Sequence, residues 1–248
     1  MYILALETTG AHASVAIINE EGKILEKRSE GVLNHLQYLM PMVKDLLKEN
    51  QLQLSDMTAI AASKGPGSFT GIRIGVSSAR ALAQILKVET IGVPTLKAFA
   101  YNMPDYDGLI CPVFDARRNQ VYAGAYRWED GQIHELVKGA PYLIDEFLKK
   151  VRAVEDALQQ TQDLQEDIPG SIGKAAGMRL FFGDGTKAYK DWFRGEELAP
   201  EEVRLQSAAS VAKLARDMAE AGAAQSYEDL KPDYMRKAEA ERKLEQHE

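Results

Sequence analysis

The chain has 248 residues, 45% hydrophobic and 27% charged, enough to bury a full core without disulfide or metal staples. A net charge of −7 and an isoelectric point near 5.3 argue against a broad, sequence-independent grip on nucleic acid, which needs clustered Lys and Arg. The single cysteine, Cys111, cannot form an internal disulfide, and no apolar run approaches the length of a membrane span, so a cytoplasmic protein with no membrane contact is expected.

In chain order, the pattern predicts a meander of three strands over 2–6, 13–18 and 24–28, the last two joined by the polar turn Glu20-Glu21-Gly22-Lys23. Leu36, Leu39, Met40, Val43 and Leu47 recur at helical spacing and predict a helix over 36–49 with one wide apolar face. Pro41 lies inside that pattern and should kink the helix or mark a late start, because it lacks a donor and crowds the preceding turn. Strands over 57–62 and 88–93 flank a second helix over 72–86, and Pro94-Thr95 opens a third that reaches Tyr101. The turn-rich run 102–108 marks the boundary between a first lobe, 1–105, and a second, 106–248.

The second lobe reads as strands over 109–114, 120–127 and 132–137, then a helix over 144–154. From 157 to 177 the sequence is polar, then glycine-containing, without a clear period, and predicts an exposed insertion. A short strand over 179–182, a helix near 188–193 and a firm helix over 207–221 follow, and the tail 236–248 alternates charges.

Chemistry concentrates at strand ends. The run from Ser63 to Gly75 holds Gly65, Gly67, Ser68, Thr70, Gly71 and Arg73 between a strand pattern and a helix pattern. A strand that empties through such a turn into a helix N-terminus presents backbone N–H groups to an anion, and Ser68 or Thr70 can cap the helix. The spacing matches neither the mononucleotide P-loop nor the dinucleotide fingerprint, and a tight turn built on glycine accounts for the same residues. Glu7-Thr8-Thr9 ends the first strand, and its residues alone are those of a β-turn with Glu7 solvated. Asp115-Ala116-Arg117-Arg118 follows a strand, so its guanidinium groups either reach an inter-lobe cleft, where they can hold phosphate, or form a hairpin tip held by an Asp–Arg pair. Gly183-Asp184-Gly185 sits between a strand and a helix, and Asp184 would repel phosphate unless a cation stood nearby. The four histidines fall at no metal-ligand spacing, so no metal is expected.

Helix 72–86 repeats Gly75, Ala79 and Ala83 four apart, with Ile72, Val76 and Leu82 on adjoining faces. Being small or apolar around much of its circumference, it is buried either between its own sheet and helix 36–49 or against another protein.

Taken together, Ala5-Leu6-Glu7-Thr8-Thr9, the Ser63–Gly75 run, Asp115-Ala116-Arg117, Gly183-Asp184-Gly185 and Pro232-Asp233-Tyr234-Met235-Arg236 occur in an order that resembles the TsaB (YeaZ) family. The resemblance implies an α/β, two-lobed ASKHA fold, the actin-like ATPase and RNase H-like architecture. It places Glu7 where nucleotide-binding relatives hold a metal ion, Thr8 and Thr9 where their hydroxyls approach phosphate, and the 183–185 turn where they make a second phosphate or adenosine contact. It implies a non-catalytic subunit required, with TsaD and TsaE, for N6-threonylcarbamoyladenosine in tRNAs that read codons beginning with A. In that scheme helices 36–49 and 72–86 meet TsaD, or a second copy when the chain is alone. TsaE binds ATP, tRNA is reached through the complex, and ATP or ADP sits at a shared interface with nothing tightly bound by this chain. The region around Tyr101 to Cys111, where TsaD carries a His-x-x-x-His metal motif, contains no histidine. A small actin-like kinase or ATPase, using Glu7, the 65–71 loop and the 183–185 turn, is the enzyme alternative.

Overall fold

The computed structural model describes residues 1–29, 35–104, 106–166 and 177–235. The charged tail 236–248, with Arg236, and residues 167–176 of the expected 157–177 insertion therefore lie outside the described residues.

The first sheet is built from β1 (Tyr2–Glu7), β2 (Ser14–Asn19), β3 (Ile24–Arg28), β4 (Ala59–Gly65) and β5 (Glu89–Pro94), in the order β3-β2-β1-β4-β5. β1 pairs antiparallel with β2 and parallel with β4, so the meander expected from the sequence is extended by two parallel strands. Parallel neighbours need crossovers, and α1 (His35–Glu49) and α2 (Phe69–Leu86) supply them. Both strand faces are buried. Leu4 and Leu6 pack with α1 and α2, while Ile3 and Ala5 pack with Val211, Leu214 and Ala215 of α6 (Ala208–Glu220).

The second sheet repeats the plan. β6 (Gly108–Asp115), β7 (Gln120–Glu129), β8 (Gln132–Leu143), β9 (Gly177–Phe182) and β10 (Glu197–Leu198) run in the order β10-β9-β6-β7-β8, with β6 antiparallel to β7 and parallel to β9. One face packs on Ile144, Phe147, Leu148 and Val151 of α4 (Ile144–Glu166). The other packs on Leu96, Phe99 and Ala100, from the short helix α3 (Thr95–Ala98) and the 3-10 turn that follows it. This segment is a wedge, because Ala98 and Tyr101 face the first sheet. Two sheets of one topology joined by such a wedge form the two-lobed ASKHA fold.

Several expectations are corrected. Pro41 does not mark a late start: α1 has already run from His35 and carries the proline within it, on its exposed side. α4 continues twelve residues past 154, through Glu166, since Glu, Ala, Leu and Gln favour helix even where no clear apolar period announces it. Instead of a helix over 188–193 there is one turn, α5 (Gly185–Ala188). α6 follows the second lobe in sequence but returns to the first sheet, so a single cut at 105/106 does not separate everything that packs on each sheet. No helix among the described residues is long and apolar enough to cross a membrane.

Candidate functional site at the inter-sheet cleft

Because the two sheets share one topology, the turns after β1, β4, β6 and β9 are equivalent in pairs, and all four open at strand C-terminal ends. Open α/β sheets gather ligands at such ends. Here they enclose a cleft of about 290 Å³ lined by Thr9 and Gly10 after β1, Gly67 and Ser68 after β4, Asp115 and Arg117 after β6, and Asp184 after β9. Ala11, Phe114 and Gln206 complete the lining. The fold thus brings together Thr9, Gly67, Ser68, Asp115, Arg117 and Asp184 from the expected residues. Gln206 was not expected, since only the return of the chain to the first sheet carries it there.

The glycine-rich run is shorter as a loop than it reads. β4 extends through Gly65, and α2 starts at Phe69, leaving Pro66, Gly67 and Ser68 between them. Ser68 is the N-cap, its Oγ accepting from Gly71 N at 3.2 Å. Ser68 N donates to Thr9 O at 2.8 Å, and Ile72 N donates to Ser68 O at 2.8 Å. Those N–H groups are spent inside the protein, which leaves a weaker anion cradle than the glycine count suggests. Gly71 is there for approach: a Cβ would stand 1.9 Å from Thr8 O, and Thr8 Oγ1 donates to Gly71 O at 2.7 Å. Thr8 and Gly71 are therefore packing partners and do not face the cleft.

Glu7 also turns away. Its side chain is buried beside Thr95, Phe99 and Ser210, in a gap with no room for water. Oε1 accepts from Thr9 N at 2.5 Å and Thr9 Oγ1 at 2.6 Å, and Oε2 accepts from Ser63 Oγ. Burial raises its pKa above the usual carboxylate value against the lowering effect of those bonds. Arg73 leaves the cleft as well. Its guanidinium lies 4.0 Å from the Phe69 ring centroid, and Nε donates to Tyr234 Oη at 2.9 Å. Together with Asp233 N donating to Lys64 O at 2.7 Å, this clasps the Pro232–Met235 segment onto the glycine loop; a Cβ on Gly65 would stand 2.4 Å from Asp233 O. Thr70 is exposed at the start of α2.

On the second-lobe side, Asp115 accepts from Arg117 N at 2.7 Å and Tyr189 Oη at 2.7 Å, and pairs with Arg117 Nη1 at 3.1 Å. Asp184 Oδ1 accepts from Asp115 N at 3.2 Å. Burial, and then the Asp115 charge, raise the Asp184 pKa, while burial and the Asp115 bond push Tyr189 up to about 12. Gly183 (φ +90°) and Gly185 are packing glycines whose Cβ positions would meet Val113 at 2.2 and 2.8 Å. The residues present do not fit a metal-bound triphosphate: two carboxylates stand at the cleft, the acid that would hold the ion points inward, and the Ser68 and Gly71 N–H groups of the glycine loop are committed. Among the described residues no three His, Cys, Asp or Glu side chains converge for a metal.

The helix residues expected at a partner surface divide sharply. Leu39, Val43, Leu47, Ile72, Val76, Ala79, Leu82 and Ala83 are buried in the chain's own core, and Gly75 abuts Thr8 Oγ1. Only Leu36 and Met40 are exposed, at 75% and 39%.

A family model described as TsaD, tRNA N6-adenosine threonylcarbamoyltransferase, matches residues 17–244. The tRNA threonylcarbamoyladenosine biosynthesis protein TsaB of Bacillus subtilis (strain 168) is 32% identical over 246 residues, covering 98% of this chain and 97% of that one. Its namesake in Escherichia coli (strain K12) is 30% identical over 248 residues, with 98% of each covered. A solved structure of YeaZ from Pseudomonas aeruginosa matches with a TM-score of 0.71 at 25% identity, covering 94% of this chain and 99% of that one.

Proposed function

The chain belongs to the TsaB family, and we propose that within tRNA threonylcarbamoyladenosine biosynthesis it is a non-catalytic subunit that holds TsaD in an active arrangement, with TsaE as the ATP-binding member. The observation that carries this reading is Glu7. In an actin-like phosphotransferase the acid at this strand end would serve the nucleotide's metal, whereas here it is consumed by Ser63 and Thr9. The cleft supplies neither a clamp on a transferring phosphoryl group nor a base beside a nucleophile. Nucleotide accordingly binds weakly to the chain alone and better at a site completed by a partner. The kinase-like alternative would be restored by ATP turnover in the purified chain.

The partner surface falls on the outward side of α1. Leu36 and Met40 are four apart and share a face, with Tyr38 also exposed nearby. TsaD covers this face in the complex, and a second copy covers it otherwise. Leu36→Asp with Met40→Asp should block co-purification with TsaD and abolish stimulation of tRNA modification, while circular dichroism stays native. Disrupting a central contact costs about 2 kcal/mol, roughly thirtyfold in affinity. Val76→Arg is the contrasting control, because a charge at that buried position should unfold the chain itself. Undiminished assembly and modification with the α1 double variant would place the contact elsewhere.

A further inference from the structure

The hairpin tip between β6 and β7 carries the longest run of left-handed non-glycine backbone among the described residues. Arg117, Arg118 and Asn119 are consecutive non-glycine residues at φ +65°, +55° and +57°. Left-handed backbone is costly for residues with a Cβ, and runs of it are rarer still. The next hairpin, between β7 and β8, solves the same turning problem with Asp130-Gly131 at φ +50° and +75°. A glycine would have relieved the β6–β7 tip too, yet two arginines stand there. Strain kept where the cheaper residue would serve points to what the side chains do.

Those side chains have a charged and aromatic setting. The Arg117 side chain is 88% exposed, and Arg118, Lys187, Lys190 and Arg194 are exposed as well. Tyr189 fastens the two segments together through Asp115. Trp192, 47% exposed, donates its backbone N–H to Tyr189 O at 2.9 Å and so belongs to the same turn. Within 115–119 and 183–195 there are five Lys or Arg against three Asp, a positive rim on a chain whose net charge is −7. Of the three acids, Asp115 is paired with Arg117, Asp191 is paired with Arg194, and Asp184 is exposed at the cleft, its Oδ1 accepting from Asp115 N. Cations interleaved with aromatic rings suit a phosphate backbone with unstacked bases.

We propose that this rim of the second lobe, Arg117, Arg118, Lys187 and Lys190 with Trp192 beside them, is a direct contact for the phosphate backbone of RNA. The inference rests on the reading of the chain as a subunit acting on tRNA, and it adds that this subunit touches the RNA itself. The contact is backbone-directed, so it confers position and little sequence preference.

The test is binding of an unmodified tRNA transcript to the full chain, followed by fluorescence anisotropy from about 50 to 300 mM salt. Arg117→Gly with Arg118→Gly removes two charges at positions where glycine suits the backbone, so the melting temperature should hold or rise. Lys187→Ala with Lys190→Ala provides a second route that leaves the hairpin untouched. Each double variant should weaken binding about tenfold at the lowest salt and flatten the log–log salt slope by roughly 1.4 to 1.8, the share of two phosphate contacts. Trp192→Ala should weaken binding with the slope preserved. Unchanged affinity and slope in both double variants, or no binding by the unaltered chain at about 50 mM salt, would overturn the proposal. Displacement of the transcript by micromolar free ATP would also overturn it, in favour of a mononucleotide site. If the unaltered chain supports modification while both double variants bind RNA normally, the rim is wrong and the subunit reading stands. A flattened slope with no support of modification separates the two in the opposite sense.

Discussion

Gly71→Ala is expected to destabilise the protein by roughly 3 kcal/mol or more, reversing the sign that helix propensity alone gives. Inside an ordinary helix the change would gain up to about 1 kcal/mol, because alanine loses less chain entropy than glycine. Here the new Cβ would lie 1.9 Å from Thr8 O, a backbone atom in a strand end that is buried on both faces. α2 would have to lift away, breaking the Thr8 Oγ1–Gly71 O bond and the Ser68 N–Thr9 O bond that hold the glycine loop to the first turn. Gly75→Ala offers a graded comparison. Its Cβ would stand 2.5 Å from Thr8 Oγ1, the end of a side chain that can rotate, so the loss should be smaller. Urea denaturation of the two variants checks the ranking, and a Gly71→Ala protein as stable as the parent would show that α2 is free to shift.

Much of this architecture is legible in the residues, and the parts that are not share a cause. The meander shows because its turns are polar and glycine-bearing, and α1 shows because Leu39, Val43 and Leu46 repeat at helical spacing over an exposed polar face. The parallel pairing of β1 with β4 left no trace in pattern, since strands covered on both faces are apolar throughout. The same uniformity hid the direction of Glu7. It shares strand parity with Ile3 and Ala5, which face α6, but a run in which every neighbour is apolar does not display its parity. The small-residue row Gly75, Ala79 and Ala83 correctly signals close approach by another element. That element is the chain's own sheet, and periodicity cannot distinguish it from a partner. Arg73 looks unencumbered at the start of a helix because Tyr234, its partner, lies at the far end of the sequence.

Removing the inward acid should be the other large effect. Glu7→Ala is expected to cost at least about 3 kcal/mol, because Thr9 N, Thr9 Oγ1 and Ser63 Oγ lose their acceptor at a buried position, at roughly 1 kcal/mol or more each. Glu7→Gln should be nearly neutral at pH 7. The amide oxygen can accept from Thr9, and the Ser63 hydroxyl can turn to accept from the amide nitrogen. The two variants thus separate hydrogen bonding from charge, and pH then isolates the charge. Burial raises the folded-state pKa of Glu7 above its usual 4.5, so the folded chain holds that proton more tightly than the unfolded one. Glu7 therefore contributes stability that is complete below about 4.5 and is lost as pH climbs through the raised value; Asp184 acts in the same direction. Against the parent, Glu7→Gln should gain relative stability as pH rises from the ordinary carboxylate range towards neutrality. Thermal melts of the two proteins across that range read the difference directly. If the parent instead gains on the glutamine variant with rising pH, the three hydrogen bonds outweigh burial and Glu7 is an ionised anchor. An acid held inward by Thr9 and Ser63 is one that a nucleotide's metal ion would have to pull from those bonds and turn outward, which is why the isolated chain is expected to bind ATP poorly.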